Sequence, residues 1–371
     1  MSHKTRSENM LKNKMTELLK IDFPIIQAPM AGGATTSNLA AAVANSGGLG
    51  MIGAGYMSPD QIREQVREIK QLTSKPFGIN LFVPSPFNVI ENEIESANKI
   101  LNTIRRKLHV DPKDSFDIPD FDEVLETFME QIRVVIEEKV PVCSFTFGIP
   151  PKEVIDELKT ANIILIGTAT TVREAAENEN SGMDIVVVQG SEAGGHRGNF
   201  IDGDQESLVG LMSLVPQVAD HVSIPVVSAG GIMDGRGLMA SICLGAQGVQ
   251  MGTAFLTCIE SGAPQVHKDA ILHAHEDETV LTRSFSGKWA RGIKNKFILE
   301  MQHNERFLPN YPVQNTLTQD IRKSSAAHNN PDYISLWSGQ SPRLAKNQTA
   351  ESLIQRIMAD VKKLRADLNT H

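Results

Sequence analysis

The stretch GSEAGGHRG, residues 190–198, places one histidine and one glutamate among four glycines. Glycines cost conformational entropy, so a backbone that carries several of them is expected to come close to another group. An imidazole can transfer protons near neutral pH, which makes His196 a candidate catalytic residue. Glu192 either orients His196 or carries an ordinary surface charge, and both interpretations fit the sequence.

Two later segments, SAGGIMDGRG and QMGTAF, have residues suited to phosphate. Gly230 and Gly231 would let backbone N–H groups approach phosphate oxygens, and Gly252 and Thr253 would add an amide and a hydroxyl. Either segment alone could simply make a tight turn. Together, after consecutive strands, they favour a ligand that carries phosphate.

Four further residues could border a ligand. Gln189 can both donate and accept hydrogen bonds, as the pyrimidine edge or ribityl chain of a flavin requires. Asn80, a polar residue in an apolar run, must be hydrogen-bonded, so it either braces the core or holds a ligand. Pro29 and Met30 in QAPMAGG could lie against a flat ring or belong to a plug of core residues.

The histidine and cysteine spacing does not indicate a metal site. His273 and His275 form an HxH pair beside two carboxylates, but no third ligand follows at metal spacing. Cys143, Cys243 and Cys258 are far apart and form no CxxC pair. We therefore expect neither bound metal nor disulfides, and a reducing compartment.

Eight short apolar runs must position these residues, with amphipathic segments between them. Continuous apolar runs are typical of parallel strands buried on both faces. The segment after the second run shows the helical pattern, with Ser58 as N-cap and Pro59 at the first helical position. The runs cover residues 24–31, 48–55, 77–83, 142–148, 163–170, 184–191, 225–232 and 248–256.

Eight βα units predict an α/β fold, a TIM (β/α)8 barrel whose active site lies at the carboxyl ends of the strands. A doubly wound sheet is the alternative. We expect residues 20–83 and 140–260 to form the barrel and residues 84–139 to be a helical insertion after the third strand, acting as a lid. Residues 261–371 would complete the barrel and a smaller, mainly helical substrate-covering domain.

The overall composition excludes several classes of partner. The 371 residues carry a net charge of −8, which argues against nucleic acid and anionic membranes but is compatible with a local cationic pocket. The first 21 residues have scattered charges and no apolar stretch, so we expect no secretion signal. No apolar run is long enough to span a membrane, and the sequence predicts a cytoplasmic protein.

The segments that carry chemistry resemble the nitronate monooxygenase family, formerly the 2-nitropropane dioxygenases, and its bacterial class I in particular. The matching segments are PIIQAPMAGG, GINLFVP, VQGSEAGGHRG, VVSAGGIMDGRG, QMGTAFL, YPVQNTLTQDIR and DYISLWSGQ. The resemblance implies FMN held without a covalent link, with His196 as the active-site histidine. The implied FMN ligands are Asn80, Gln189, Gly194, Gly231, Gln250, Met251, Gly252 and Thr253, with Pro29 and Met30 bordering the ring.

The resemblance also implies an activity, namely oxidative denitrification of an alkyl nitronate, in particular the toxin propionate 3-nitronate. Dioxygen would be the co-substrate, and a carbonyl compound and nitrite the products. His196 would remove a proton from a neutral nitroalkane or only position a nitronate. Arg197, Lys288 or Arg291 would meet the anionic substrate.

Other functions stay open at this stage. An FMN- and NAD(P)H-dependent enoyl-acyl-carrier-protein reductase shares the barrel and a similar glycine–histidine loop, although SLWSGQ favours the monooxygenase. A flavin-binding protein without activity is a second alternative. The inosinate type of nucleotide dehydrogenase needs a loop cysteine after the sixth strand, which this chain lacks. The oligomeric state, for which a homodimer is one option, does not follow from the sequence.

Overall fold

The computed structural model describes residues 11–201 and 207–368. The expectation that the N-terminus carries no secretion signal concerns residues 1–21, of which residues 1–10 lie outside this part. The predicted barrel range 140–260 and the C-terminal range 261–371 also include residues outside it, namely 202–206 and 369–371.

Eight parallel strands form the predicted barrel, in the order β1-β9-β8-β6-β5-β4-β3-β2. The strands in chain order are β1 Ile25–Gln27, β2 Gly50–Gly53, β3 Phe77–Phe82, β4 Val142–Thr146, β5 Ile164–Ala169, β6 Ile185–Gln189, β7 Gly195–His196, β8 Val226–Ala229, β9 Gly248–Met251, β10 Thr279–Thr282 and β11 Ala290–Ile293. The ring closes between β1 and the residue before β2, because Leu49 N donates to Ile25 O and Gln27 N to Leu49 O, each at 2.9 Å. The TIM barrel is therefore confirmed.

Helices follow the barrel strands and cover them. The helices are α1 Lys14–Leu19, α2 Ser37–Asn45, α3 Pro59–Leu72, α4 Glu91–Lys107, α5 Phe121–Glu137, α6 Lys152–Thr160, α7 Val172–Ser181, α8 Leu211–Ala219, α9 Gly235–Cys243, α10 Thr253–Leu256, α11 Gln265–His273, α12 Lys296–Met301, α13 Val313–Ala327 and α14 Ala350–Leu368, with 3-10 turns at Gln302–Phe307, Pro331–Tyr333 and Pro342–Leu344. As predicted, Ser58 caps α3, its hydroxyl accepting a hydrogen bond from Gln61 N. The predicted strand 248–256 was wrong in its second half, which is α10.

The barrel interior is packed and closed at its amino end. Apolar side chains of β1, β2, β4, β5, β6 and β8 meet there with Met15 and Leu19 of α1. Gly248 makes room for α1, since a Cβ added at this position would lie 2.5 Å from Met15 Sδ. Side chains of the strands and of α1 therefore fill the amino end of the barrel in the described part of the chain.

Helices α5 and α14 belong to the outer layer of the barrel. Buried residues of α5, among them Phe128 and Ile132, pack on the strand residues Leu81 and Phe145. Leu353 and other buried residues of α14 pack in one cluster with α2 and α9. The predicted insertion 84–139 thus contributes one helix, α5, to the barrel wall, and its role as a lid stays a prediction.

Helix α4, the other half of that segment, packs instead with α12 and α13. Their buried residues include Leu101, Phe297 and Leu317. A three-stranded antiparallel sheet, β10-β11-β7, lies beside them, and the sequence did not predict it. Strands β7, β10 and β11 with helices α4, α12 and α13 are called the covering part below.

The described ranges contain neither a helix that could span a membrane nor a group of side chains that could bind a metal ion. Within residues 11–201 and 207–368, no helix combines the length and apolarity needed to cross a membrane. The same residues contain no group of three or more His, Cys, Asp and Glu side chains that could hold a metal ion. The HxH residue His273 contacts the Asp269 carbonyl at 2.7 Å on its own helix.

Candidate active site

The residues proposed from the sequence lie at the carboxyl ends of the barrel strands or in the loops that follow. Pro29 and Met30 follow β1, Asn80 lies in β3, Gln189 ends β6, Gly194 precedes His196 of β7, Gly231 follows β8, Gln250 and Met251 end β9, and Gly252 and Thr253 come next. Because parallel strands end at the same rim, the fold brings these residues to one face of the barrel. Whether they bind a cofactor stays a prediction.

The glycine–histidine loop is held by Gln189. Its Nε2 donates to His196 O at 2.9 Å, and its Oε1 accepts from Gly198 N at 2.8 Å. A second N–H of Nε2 and a second lone pair of Oε1 remain for hydrogen bonds to a ligand. Gln189 thus positions the loop that carries the histidine, a role that the sequence did not reveal.

Arg197 also braces this loop. Its buried guanidinium donates to Gly190 O at 2.7 Å and to Gln189 O at 3.0 Å. Burial, followed by the charge of Arg291, lowers the pKa of Arg197 to about 10. The backbone carbonyls use the Nη1 and Nη2 groups of Arg197, whereas its buried Nε has no hydrogen-bond partner in the described part of the chain.

The glycines of the loop serve two different neighbours. A Cβ on Gly194 would lie 2.5 Å from Gly339 N and from the carbonyl carbon of Ser338, so this glycine admits another part of the chain. Gly195 has φ +74°, which favours glycine, and a Cβ there would meet nothing within 4 Å. The open space at the loop therefore lies at Gly195.

Glu192 has neither of the two roles considered from the sequence. Its half-buried carboxylate accepts a hydrogen bond from Leu211 N at 2.9 Å, at the start of α8. Its backbone carbonyl accepts from Gln340 N at 3.0 Å. Glu192 therefore caps a helix and ties residues 338–341 to the glycine–histidine loop.

The loops after β8 and β9 form a rim with few side chains. Gly230 and Gly231 have φ of +146° and +61°, conformations that other residues rarely adopt. Thr253 Oγ1 accepts from Gly339 N at 2.9 Å, which leaves its own proton available for donation. A Cβ on Gly231 would lie 3.3 Å from Ser341 Oγ, so residues 338–341 also border this rim.

These observations fit a flavin mononucleotide. At Gly230 and Gly231 no side chain covers the backbone N–H groups, which could donate to a phosphate together with the Thr253 hydroxyl. The open space at Gly195 lies on the same face of the barrel. Asn80 is buried and donates to Ser144 Oγ at 2.9 Å, so its amide is fixed in the strand.

His196 stands in β7 beneath a group of aromatic rings. Its ring centroid lies 5.3 Å from that of Trp337, 5.9 Å from Phe147 and 6.3 Å from Tyr311. Its Nε2 lies 2.8 Å from Ser286 Oγ, which orients the imidazole. His196 and these three rings are called the aromatic chamber below.

Phe147 has an unusual backbone for a residue with a large side chain. Its φ of +72° lies in the left-handed region, which costs free energy and is concentrated at functional sites. Its ring lies 4.6 Å from Phe82 and 5.7 Å from Tyr311. The loop after β4 therefore presents Phe147 to the chamber at an energetic cost.

The chamber carries positive charge. Burial, then the charges of Lys288 and Arg322, lower the pKa of His196 to about 3, so the imidazole is neutral at pH 7. Lys288 Nζ lies 5.1 Å from the Phe147 ring centroid and donates to Asn199 O at 3.1 Å. Arg291, by contrast, donates through Nε to Ser191 O at 2.9 Å and braces the loop. Of the three cations considered from the sequence, only Lys288 acts on His196.

Sequence reasoning missed most of the chamber. Tyr311 and Trp337 lie in YPVQNTLTQDIR and DYISLWSGQ, two segments quoted only for their family resemblance, which could have indicated them. No sequence signal indicated Phe147 or Ser286. Arg322 is the last residue of the first of those two segments, and it was not among the cations that the sequence suggested.

Comparisons with known proteins agree with this geometry. The family model described as nitronate monooxygenase matches residues 12–360. A probable nitronate monooxygenase of Staphylococcus haemolyticus is 52% identical over 354 residues, which are 95% of this chain and 98% of the relative. Among solved structures, nitroalkane oxidase from Streptomyces ansochromogenes has a TM-score of 0.88 and 37% identity, covering 96% of this chain and 100% of that one. FabK from Thermotoga maritima has a TM-score of 0.77 and 31% identity, with 97% and 99% covered.

Proposed function

Because this chain belongs to the nitronate monooxygenase family, an oxidoreductase family, we propose that it uses FMN and dioxygen to oxidise propionate 3-nitronate to a carbonyl compound and nitrite. One observation carries the proposal, namely that His196, oriented by Ser286 and bordered by Trp337, directly follows Gly195, where the chain leaves open space. The cellular role would be removal of toxic nitronates in the cytoplasm.

FMN would supply the electron transfer between nitronate and dioxygen. The residues of this chain would hold it, with Gly231, Gly252 and Thr253 at the phosphate. The remaining proposed ligands are Asn80, Gln189, Gly194, Gln250 and Met251, and Pro29 and Met30 would border the ring. Their placement at the barrel mouth supports this assignment.

His196 would position the nitronate rather than deprotonate it. A nitronate has already lost its α-proton and needs no base. A pKa of about 3 makes His196 a weak base for a neutral nitroalkane. Ser286 Oγ lies 2.8 Å from Nε2 of His196 and 3.2 Å from Lys288 O. Because a hydroxyl has one proton, Ser286 donates a hydrogen bond either to His196 or to Lys288 O.

The enoyl-acyl-carrier-protein reductase remains the second candidate. The 31% identity to FabK keeps this candidate open. The 52% identity to a probable nitronate monooxygenase and the 37% identity to a nitroalkane oxidase support the first candidate more strongly.

An aerobic assay of the purified protein tests the proposal. With propionate 3-nitronate and no nicotinamide, we expect consumption of oxygen and release of nitrite. Heat-released cofactor should have the mass of FMN. Absence of nitrite under these conditions would reject the nitronate activity, and a different cofactor mass would reject FMN.

A further inference from the structure

Glu174 of α7 has a buried carboxylate that belongs neither to the proposed cofactor ligands nor to the aromatic chamber. Only 1% of its surface is exposed. Its Oε2 accepts hydrogen bonds from the backbone N and the Oγ1 of Thr170, both at 2.7 Å. Its Oε1 accepts from Phe200 N at 2.6 Å and from Ile201 N at 3.1 Å. A buried carboxylate is costly unless hydrogen bonds replace its water, and four donors do so here.

The four donors belong to two segments at the carboxyl ends of strands. Thr170 directly follows β5, and residues 200–201 follow β7, which carries His196. Thr170 Oγ1 also accepts a hydrogen bond from Ser207 Oγ at 2.6 Å, further along the same loop. Glu174 therefore ties the segment that follows the active-site histidine to the barrel.

The segment that Glu174 binds is also the one that contacts Lys288. Lys288 Nζ donates to Asn199 O at 3.1 Å, and Asn199 directly precedes the two N–H groups that Glu174 binds. The same Nζ lies 5.1 Å from the ring centroid of Phe147, which in turn lies 5.9 Å from that of His196. A chain of contacts thus runs from Glu174 through this segment to Lys288 beside the aromatic chamber.

We propose that Glu174 is a positioning residue of the candidate active site, whose carboxylate fixes residues 199–201 so that Asn199 O holds Lys288 Nζ at the aromatic chamber. A lysine side chain is long and flexible, and a fixed acceptor restricts the place of its ammonium group. The expected effect on turnover rests on the proposed function, whereas the effect on Lys288 can be measured without turnover.

Glu174→Gln tests the proposal because it keeps the size of the side chain. Glutamine has one acceptor oxygen and one NH2 group, so it cannot accept from all four donors. We expect kcat/KM for propionate 3-nitronate to fall by about 5- to 20-fold, since a small displacement of a positioning group lowers turnover. In a Lys288→Met background the same substitution should lower kcat/KM by less than about twofold, because the group through which Glu174 acts is absent. An equal fall in both backgrounds would overturn the proposal.

Glu179→Gln is the matched control on the same helix. Oε1 of Glu179 accepts from Ser223 N at 2.7 Å and from Ile224 N at 3.2 Å, in the segment that precedes β8. Glu179 therefore makes the same kind of contact at the opposite end of the barrel. Glu179→Gln should keep the kcat/KM of the wild type.

A measurement on Lys288 itself separates this proposal from the proposed function. Lysines that carry isotope-labelled methyl groups give separate NMR signals, and the Lys288 signal is the one missing in Lys288→Met. We expect Glu174→Gln to shift this signal and Glu179→Gln to leave it unchanged. Thr170→Val, which removes one of the four donors, is a milder variant that should shift it less and that decides the question if Glu174→Gln does not fold.

An unchanged Lys288 signal in the folded variant would overturn the proposal and leave Glu174 a residue of the loop alone. A wild-type protein that does not oxidise the nitronate, while Glu174→Gln shifts the Lys288 signal, would support the role of Glu174 and contradict the proposed function.

Discussion

The two sides of the candidate active site are formed by different kinds of residue. The barrel side presents glycines and uncharged polar groups, such as Gly231, Thr253 and Gln189, at fixed strand ends. The other side, formed by the aromatic chamber and its neighbours, presents aromatic rings and cations, such as Trp337 and Lys288. Under the proposed function, the backbone of the barrel side would hold the cofactor, and the charged side chains of the other side would select the substrate.

The largest expected effect comes from the barrel side. Gly231→Val adds a branched side chain at φ +61°, with the new Cβ 3.2 Å from Glu192 Cβ. The left-handed strain of about 1–2 kcal/mol and the lost backbone approach should weaken FMN binding by at least about tenfold. The ratio of flavin to protein absorbance and the dissociation constant of added FMN measure this.

Gly182→Val is the control for Gly231→Val. Gly182 ends α7 with φ +100° and lies away from the carboxyl ends of the strands, so this variant suffers similar strain without touching the rim. We expect it to retain FMN. Equal loss of FMN in both variants would mean that strain alone, rather than the rim, explains the result.

A smaller effect is expected from the histidine. His196→Ala should lower kcat with propionate 3-nitronate by about 10- to 100-fold, as loss of one positioning group does, while FMN stays bound. Turnover and flavin content are measured on the same sample. His221→Ala, at an exposed histidine after α8, is the control. Unchanged nitronate kinetics in His196→Ala would reject a catalytic role.

A buried histidine of α11 predicts a dependence of stability on pH. His267 is buried, its Nε2 donates to Trp337 O at 2.9 Å, and burial lowers its pKa to about 4. The unfolded chain therefore takes up a proton below pH 6.5 that the folded chain does not, and stability falls as the pH falls. In urea unfolding, His267→Gln should show less loss between pH 7 and pH 4, by up to about 3 kcal/mol.

The exposed His328, whose Nδ1 donates to Ser324 O at 2.8 Å, provides the control for His267. His328→Gln should follow the wild-type curve. A wild-type slope in His267→Gln would contradict a buried, neutral His267.

The smallest expected effect concerns the pH profile of turnover, in which we expect no contribution from His196. Burial and the two cations lower the pKa of His196 to about 3, so it stays neutral from pH 5 to pH 8. The profile of kcat/KM for a nitronate, which reports the free enzyme, should therefore show no histidine inflection near pH 6.5. An inflection there that disappears in His196→Ala would contradict the cationic chamber.

The barrel could be predicted because its signals are local. Continuous apolar runs identify buried parallel strands, and the glycines follow these strands directly in the sequence. The same reasoning mistook α10 for strand, since a continuous apolar run does not distinguish a buried helix from a buried strand. Ser58 and Pro59 marked the start of α3 correctly because capping depends on neighbouring residues only.

The covering part could not be predicted because its contacts are distant in sequence. His196 meets Ser286, 90 positions away, through a sheet whose strand β7 has only two residues. Such a strand is too short to show an alternating pattern. The charge of Arg322 helps to lower the pKa of His196 although the two residues are far apart in sequence, which no local signal reveals.

Anaerobic mixing tests the central claim most directly. The purified protein with its bound flavin is mixed with NADH or NADPH, and separately with propionate 3-nitronate, while flavin absorbance is followed. We predict no change with either nicotinamide, a rapid change with the nitronate, and nitrite release once oxygen is admitted. Bleaching of the flavin by a nicotinamide alone would contradict this account and support the enoyl-acyl-carrier-protein reductase.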